Sequence, residues 1–597
     1  MTIVAFTKQT CLQVRKICVC SKSRNRLYKG SHMNGEDCDM NKIISEDYAD
    51  LIIRNEIINQ YQDEAKDNIT PINNKHSMLH IPIVDIEKCT LGKYNYNFFP
   101  TCYSLASFGS LDQSSITEIQ KNPHLALFGE GVLIGFVDTG IEYQHQAFIN
   151  KDNTSRIVSI WDQTINSEET NGNEMPYGTI YENTALNAAL LLENPLKLVP
   201  TTDDIGHGTF LAGIAAGNLN EAQKFSGVAP KAELVIVKLK QAKQITRDLF
   251  CIPSKAICYQ NTDILMGIKY IIATAAKLQK PIVLCVGLGT NQGGHDGFGA
   301  VSSQLDFLSQ VPKVCTLTPA GNEGVSRRHY LGKLAKGEAT KEFELNVGIA
   351  DTLFSMEIWQ QAPYRIALDI TSPTGEYTAP IYPEINECHK LNYVFESSAL
   401  WVNNEISEGD TGDQVILVRF QTASAGIWKF RVYNMDNAAS EFNVWLPADQ
   451  LITDETYFLQ SNPNKTITSP GNAVKSITIT SYNPENGGIA INASRGYTRS
   501  NVIKPDLAAP GVDLTCPVIG NSYGTASGTG CAAAHTAGIA AMLLEWGIVK
   551  GNYTSMNGQD IQKLLIRGAN RSDELEYPNN VWGYGKVNIY NVFQRLR

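Results

Sequence analysis

The stretch Gly131-Val-Leu-Ile-Gly-Phe-Val-Asp138-Thr-Gly140 decides the fold of this 597-residue chain. Its apolar run is unbroken rather than alternating, which is typical of a strand buried on both faces of a parallel sheet. The run ends in an acidic residue, and Thr-Gly follows it directly. The stretch therefore predicts an internal parallel strand that carries Asp138 at its end.

Similar apolar runs follow at residues 234–238 and 282–286, and helical patterns lie at residues 210–216 and 263–277. Parallel strands need a crossover connection, and a helix between two strands supplies it. We therefore predict an α/β fold whose parallel sheet carries helices on both faces.

The pattern changes at about residue 328. Alternating β-type runs at residues 341–347, 415–420 and 426–432 are separated by Gly, Pro and Asn turns, which is typical of an antiparallel sandwich. The α/β pattern returns with Lys504-Pro-Asp-Leu-Ala-Ala-Pro-Gly511. These changes predict an all-β, jelly-roll-like domain inserted into the α/β domain.

The predicted domains are a basic leader (1–40), an N-terminal extension (41–120), the first part of the α/β domain (121–327), the β insert (328–472) and the second α/β part (473–597). Within the extension, a helix is predicted at residues 46–61. The first 30 residues hold seven Lys or Arg and no acid, but lack the apolar segment of a secretory signal. We expect this leader to be a disordered tail, or an upstream misassigned start, with Met33 or Met40 as the true beginning.

Composition narrows the class of partner. The net charge of −10 argues against nucleic acid or an anionic membrane, and 43% apolar residues is ordinary for a globular protein. The thirteen cysteines are scattered without metal-ligand spacing, so we expect them to be mostly reduced, in a non-oxidising compartment. The sequence contains no uninterrupted run of about 18 apolar residues, so we do not expect a transmembrane helix.

Three short motifs carry candidate chemistry. They are Asp138-Thr-Gly140, then Asp204-Ile-Gly-His207-Gly-Thr-Phe-Leu-Ala-Gly213, and finally Ser527-Gly-Thr-Gly-Cys-Ala-Ala-Ala-His-Thr-Ala-Gly538, a glycine turn that opens a small-residue helix. Each is weak alone, because each also occurs as an ordinary turn or helix cap. Together, in this chain order, they are specific.

The chain resembles the subtilase family of serine proteases, whose catalytic residues occur in the order Asp, His, Ser. Thr318-Pro-Ala-Gly-Asn-Glu-Gly324 is similar to the family's oxyanion-hole motif, and residues 521–538 follow its nucleophile motif without a gap. The resemblance covers residues 125–325 and 475–597. It implies that Asp138 orients the base, His207 is the general base, Asn322 donates to the oxyanion, and position 530 holds the nucleophile.

This sequence departs from the family pattern at two places. Position 530 is glycine, which has no atom that can attack a carbonyl carbon. The substrate-pairing strand, commonly Ser-Leu-Gly in the family, is Gly287-Leu288-Gly289 here. We predict that these three residues bind substrate, and that the missing nucleophile places acyl-enzyme chemistry in doubt.

Three interpretations of the subtilase site stay open. The favoured one is a pseudoprotease that binds peptide or protein partners, since main-chain pairing in the cleft needs no nucleophile. The second is an active serine endopeptidase whose nucleophile was replaced by glycine. The third is an enzyme that uses Cys531, Ser527 or Thr529 instead, although Cys531 should point away from the imidazole.

An aspartic protease is the rival class, because Asp138 and Asp410 both begin Asp-Thr-Gly triplets. Such enzymes need two carboxylates on matching strand ends that share a proton. Asp410 lies in the polar stretch Ser407-Glu-Gly-Asp-Thr-Gly-Asp413, which predicts a turn. The second triplet is therefore interpreted as coincidence.

The insert before Lys504 makes the chain similar to the clostridial subtilases that include the spore-germination Csp proteases, some of which have lost catalytic residues. That resemblance implies a cytoplasmic or spore-associated location in a bacterium. The N-terminal extension shows no clear match to the family's prodomain, although a prodomain-like segment is considered there. No organic cofactor is expected. Some subtilases bind a structural calcium ion, so the resemblance is compatible with one, but the sequence does not identify its ligands.

Overall fold

The computed structural model of the protein describes residues 42–61, 68–89, 91, 94–105, 114–123, 125–166 and 175–596. The predicted leader lies outside these residues. Strands β1 to β12 are Tyr48–Arg54, Ile69–Pro71, His76–Pro82, Cys102–Leu105, Leu133–Asp138, Ile157–Asp162, Thr179–Glu182, Glu233–Lys238, Tyr259–Gln260, Ile282–Val286, Leu288–Gly289 and Val314–Pro319. Strands β13 to β26 are His329–Leu334, Thr340–Val347, Phe354–Gln360, Ile366–Thr371, His389–Tyr393, Ser398–Glu405, Gln414–Thr422, Gly426–Asn434, Ser440–Trp445, Tyr457–Phe458, Ile477–Tyr482, Leu507–Pro510, Leu514–Val518 and Ser522–Ala526. Helices α1 to α9 are Ile116–Lys121, Asn183–Leu190, His207–Ala216, Gln244–Leu249, Asn261–Leu278, Ala300–Leu308, Thr529–Leu544, Gly558–Gly568 and Ile589–Gln594.

Eight strands form the central sheet, in the order β24-β23-β12-β10-β5-β8-β6-β7. Neighbouring strands are parallel except for the edge pair β6 and β7. The predicted α/β class is confirmed, and β5 lies inside the sheet between β10 and β8. The end of β5 is therefore surrounded by the ends of other parallel strands.

Strand β5 is apolar on both faces because helices cover both. Ile134 and Phe136 face the core that contains α3 and α7, whereas Leu133 and Val137 face the core that contains α5. Gly135 allows α5 to approach the strand, since an added Cβ would lie 2.4 Å from Ile271 of that helix. Two-sided burial explains why this run does not alternate.

The antiparallel strands predicted beyond residue 328 are present. They form a six-stranded sheet, β13-β21-β15-β19-β18-β17, and a four-stranded sheet, β16-β20-β14-β22. The two sheets share a core in which the Phe343 and Phe430 rings stack at 4.9 Å. Alternate residues of each strand supply this core, as the period of two predicts.

The N-terminal extension differs from its prediction. Instead of a helix over residues 46–61, the chain forms β1, which pairs with β3, followed by a 3₁₀ helix at Asn55–Tyr61. The cause is the consecutive apolar run that includes the β-branched Ile52 and Ile53, which packs well on a pleated sheet. Strands β1, β3 and β2 make a small antiparallel sheet.

The extension is joined to both other parts of the fold. One apolar core contains Leu51 from the extension, Leu249 from α4 and Trp359 from the antiparallel sheets. Buried Arg419 of β19 donates hydrogen bonds to the carbonyls of Lys88, Cys89 and Leu249. These shared contacts make the extension an integral part of the structure.

A disulfide links Cys89 to Cys388, and thus the extension to the antiparallel segment. The cysteines at 102, 251, 258, 285, 315 and 516 are buried outside any disulfide. The bridge was not predicted, because the expectation was that most cysteines are reduced. It adds a covalent link across the same boundary that Arg419 spans.

A buried ion pair holds the extension against the α/β part. Lys243 Nζ lies 2.9 Å from Asp50 Oδ1 and also donates to the backbone carbonyls of Lys42 and Tyr48. His80 Nδ1 contacts the same Asp50 oxygen at 2.7 Å. Asp50 and Lys243 are almost fully buried, so each depends on the other for compensation of its charge.

The run Thr529–Val549, which begins with α7, is long and apolar enough to cross a membrane by length and composition, although no such helix was expected. However, 83% of its most apolar window is buried inside the protein. This burial is typical of a helix in the core of a folded domain. The helix packs against α3 and against β23 and β12 of the central sheet.

Replacing Lys243 tests the buried ion pair. We expect Lys243→Met to cost about 3–5 kcal/mol of unfolding free energy, because it leaves the Asp50 carboxylate buried without its partner. Urea denaturation would measure this loss. The matched control is Lys277→Met, which removes a lysine whose pair with Glu182 is more than half exposed and should cost less than about 1 kcal/mol. Equal losses in the two variants would contradict the assignment.

His535 of α7 makes stability depend on pH. Burial lowers its pKa to about 3, and Nε2 contacts the Ser114 hydroxyl at 2.9 Å. Because the unfolded chain binds this proton at about pH 6.5 and the folded chain does not, stability should fall by about 3 kcal/mol as pH drops from 6.5 to 4. In His535→Gln the slope over this range should decrease by about one proton in urea denaturation. An unchanged slope would exclude this histidine as the source.

Candidate active site

The predicted acid and base meet at the carboxyl edge of the central sheet. Asp138 is the last residue of β5 and His207 the first of α3, and His207 Nδ1 lies 2.6 Å from Asp138 Oδ1. The Asp138 side chain is fully buried and that of His207 is 4% exposed. The same carboxylate oxygen also accepts from the Thr139 N–H at 2.8 Å. This geometry can orient an imidazole so that Nε2 serves as a base.

The glycine after His207 permits this close approach. A Cβ at Gly208 would lie 2.1 Å from the carbonyl oxygen of Gly140, so any side chain would force the helix away from the strand end. The Gly208 N–H donates to Thr139 Oγ1 of the neighbouring turn at 2.9 Å. The Gly-His-Gly and Asp-Thr-Gly motifs therefore interlock.

Asp203 supports both motifs, and the sequence analysis missed it. Its Oδ1 accepts from Thr139 Oγ1 and from the Gly206 N–H, both at 2.8 Å. Its Oδ2 accepts from the N–H and hydroxyl of Thr209 at 2.9 and 2.7 Å. The available signal was an acid four residues before His207, at the start of a helix where N–H groups lack partners.

Asn322, the predicted oxyanion donor, lies in a cleft that His207 also lines. Its Oδ1 accepts from both the N–H and the hydroxyl of Thr529, each at 3.1 Å. Because both Thr529 groups donate, the amide atom that they contact is the oxygen. The Nδ2 group of Asn322 then points away from Thr529 and can donate to another acceptor. Thr529 Oγ1 also accepts a hydrogen bond from the Gly321 N–H. The sequence analysis did not predict that Thr529 orients Asn322.

Position 530 is the second residue of α7, directly after Thr529, and is buried. The helix begins after Gly528, whose φ of 138° suits glycine. A side chain at 530 would start beside the orienting contact between Thr529 and Asn322, at a helix N-terminus whose dipole favours negative charge. Glycine supplies no hydroxyl there.

The three considered substitutes are each buried or engaged in a hydrogen bond, although Ser527 lines the same cleft as His207 and Asn322. Cys531 is fully buried in the core that contains α3 and α7. Ser527 Oγ donates to Asp513 Oδ1 at 3.1 Å and accepts from the Asp513 N–H. The Thr529 hydroxyl is engaged with Asn322. This geometry favours none of them as a nucleophile.

The predicted substrate-binding strand is paired with the protein's own chain. Leu288 and Gly289 form β11, which pairs antiparallel with Leu105 and Ser104 of β4. On its other edge, β4 pairs antiparallel with β9, just before α5. Strand β4 therefore fills the groove between β9 and β11 and ends at Leu105, which lines the cleft with His207.

The aspartic-protease alternative is inconsistent with the geometry. Asp138 contacts His207, whereas Asp410 lies in a turn beside β19 and contacts Arg54 of β1. The two carboxylates therefore do not share a proton. Across the part of the chain that is described, no group of three or more His, Cys, Asp or Glu side chains is placed to hold a metal ion.

Comparisons with known proteins identify the family of the chain. The model of the subtilase family matches residues 129–324 and 443–585, which together exceed half of the chain. The structure of the CspB protease from Clostridium perfringens is similar with a TM-score of 0.71 and 30% identity, covering 81% of this chain and 96% of that one.

Two curated relatives match more distantly. The thermophilic serine proteinase of Bacillus sp. strain AK1 is 27% identical over 169 residues, covering 27% of this chain and 39% of that protein. The C5a peptidase of Streptococcus pyogenes is 23% identical over 456 residues, covering 72% of this chain and 36% of that protein. The alignments thus span less than half the length of these two relatives. The matched ranges of the family model contain Asp138, His207, Asn322 and position 530, and the chain belongs to the subtilase family.

Proposed function

We propose that this protein is a subtilisin-like pseudoprotease, whose scaffold binds peptide or protein partners without cleaving them. The observation that carries the proposal is Gly530 at the nucleophile position of α7. Acyl transfer requires an atom that attacks the carbonyl carbon, and glycine has none. In a serine triad of this kind, removal of the nucleophile lowers turnover by about 10⁶.

The retained acid, base and oxyanion residues support the alternative as well. Asp138 and His207 are in contact, and Asn322 is oriented by Thr529, so the site resembles one that lost only its hydroxyl. An active endopeptidase in which serine was replaced by glycine would show the same geometry. The codon at position 530 in the source gene distinguishes a natural glycine from an introduced one.

The occupied groove determines how a partner would bind. Strand β4 already pairs with β9 and β11, so an external peptide can use these strands only after β4 leaves. We therefore propose that a partner competes with β4 for main-chain pairing, the mode by which extended peptides add to sheet edges. In this proposal the N-terminal extension regulates access and acts as a prodomain-like segment.

The proposal also covers the role of residues 328–472 and the location of the protein. Residues 328–472 are proposed to be an inserted domain whose sheets brace the extension through Arg419 and the Cys89–Cys388 bridge. A cytoplasmic or spore-associated bacterial location follows from the resemblance to clostridial subtilases and the likeness to CspB. No organic cofactor is part of the proposed function.

Covalent labelling tests the missing nucleophile. The unmodified protein should show no labelling by a fluorophosphonate, because position 530 offers no hydroxyl, and no iodoacetamide labelling at the cleft, because Cys531 is buried. Intact mass measurement followed by peptide mapping checks both reagents. The His207→Ala variant is the matched control for base-dependent reaction. Labelling that maps to the cleft and disappears in His207→Ala would refute the pseudoprotease.

A proline in β4 tests the occupied groove. Ser104→Pro removes a backbone N–H from the strand and should loosen its pairing with Gly289. A fluorescent peptide with the sequence of residues 101–105 should then bind at least about tenfold more tightly, as measured by anisotropy. Ser104→Ala keeps the N–H and loses only the hydroxyl, so its affinity should match that of the unmodified protein. Equal affinity in all three proteins would contradict competition by β4.

A further inference from the structure

One region of the antiparallel part is both acidic and apolar at its surface. Residues 371–405 contain five glutamates, at positions 376, 384, 387, 396 and 405, against a single lysine and no arginine. The same stretch exposes five large apolar side chains, namely Tyr377, Tyr382, Ile385, Val394 and Phe395. Exposed apolar side chains that gather in one region commonly mark a contact with another molecule.

Two turns, at residues 374–377 and 394–396, are joined into what we call the apolar tip. The Phe395 N–H donates to Glu376 Oε2 at 2.9 Å, and the Thr374 hydroxyl donates to the Glu396 carboxylate. The exposed apolar side chains of the tip are Tyr377 (80%), Val394 (78%) and Phe395 (81%). The two hydrogen bonds hold the turns together, so these side chains face solvent from a fixed position.

Strand β17 leads into the apolar tip and leaves one edge open. It is the last strand of the six-stranded sheet, and within the described residues it pairs only with β18. About half of its main-chain N–H and C=O groups therefore face away from the sheet, where an added strand can pair with them. Before β17, the backbone of Glu384 is bonded to that of Asn404, and the next residue, Ile385, is 72% exposed. Acidic and apolar side chains thus flank the open edge at both ends.

The charge of this surface decides what can pair with the edge. A second copy of the chain that met it through the same edge would bring the glutamates of both copies together, and nucleic acid or an anionic membrane would be repelled as well. An extended segment with basic side chains is attracted by the same glutamates. Its main chain can pair with β17, and its apolar side chains can pack on Phe395 and Tyr377.

We propose that β17 and the apolar tip bind an extended, cationic segment of another protein, which adds to the six-stranded sheet as a further strand. This site goes beyond the proposed function and does not depend on it. The loop after β21 lines the cleft through Asp449, and three strands, β15, β19 and β18, separate β21 from β17. At the usual spacing of strands the two surfaces are about 19 Å apart. A partner at β17 therefore leaves the cleft accessible.

A pair of synthetic peptides tests the chemistry of the partner. The probe is a fluorescent peptide, Lys-Val-Lys-Phe-Lys-Val-Lys, and its counterpart carries Glu in place of every Lys. In fluorescence anisotropy the cationic peptide should bind the full chain at least about tenfold more tightly, and added salt should weaken its binding because the glutamates are exposed to solvent. Hydrogen exchange should slow at the amides of residues 389–393 when the cationic peptide is added, because an added strand occupies their open edge.

Two surface variants locate the binding. Phe395→Ser removes apolar contact, and Glu376→Gln with Glu396→Gln removes charge while keeping the acceptors that join the two turns. Each should weaken binding of the cationic peptide at least about fivefold.

The matched controls lie in the α/β part of the fold. Leu191→Ser removes a side chain that is 83% exposed, and Asp573→Asn with Glu574→Gln removes two exposed charges. Both should keep the affinity of the unmodified protein, and thermal unfolding establishes that every variant is folded. The proposal is overturned if neither peptide binds, if both bind equally, if exchange at residues 389–393 is unchanged, or if the controls weaken binding as much as the surface variants.

Discussion

The hydrogen bond between His207 Nδ1 and Asp138 Oδ1 is the contact on which the architecture of the site depends. It joins the end of an internal parallel strand to the first residue of a helix, and both side chains are buried. The contact requires glycine at 208 and the polar bridge through Thr139 and Asp203. Asn322 follows β12 of the same sheet, and the packing of α7 against α3 places position 530 near it.

The extension explains why this edge is closed. Strand β4 uses main-chain groups to fill the groove, while the extension behind it is held by the Asp50–Lys243 pair and by a core shared with α4 and the antiparallel sheets. If the whole extension moved with β4, apolar surface would be exposed and the buried charges of Asp50 and Lys243 would separate. Displacement confined to β4 is therefore the least costly opening of the groove.

The central sheet and the contact between Asp138 and His207 could be predicted because their patterns are local. Asp138, His207 and Asn322 each stand in a short motif whose glycines permit a specific turn. Strand β4 has no such motif, because backbone pairing does not depend on side-chain identity. The Cys89–Cys388 bridge spans 299 residues and exists only once the extension has docked.

The expected helix at 46–61 was wrong for a related reason. Its run of consecutive apolar residues fits a buried strand as well as a buried helix, and only pairing of Leu51 and Ile52 with β3 decides between them. Asp203 and Thr529 were missed because their roles are to orient other residues. Such roles depend on distances that chain spacing does not determine.

The same energetics explain how the contact between Asp138 and His207 can persist beside a glycine at position 530. Asp138 and His207 are buried against each other, so loss of either would leave a polar group without a partner inside the fold, at a cost of about 1–3 kcal/mol. A serine hydroxyl at position 530 would have no comparable structural duty. Folding thus retains the pair independently of catalysis, whereas only catalysis would retain the serine. The intact Asp138–His207 contact is therefore no argument for activity, and the chemistry of position 530 decides it.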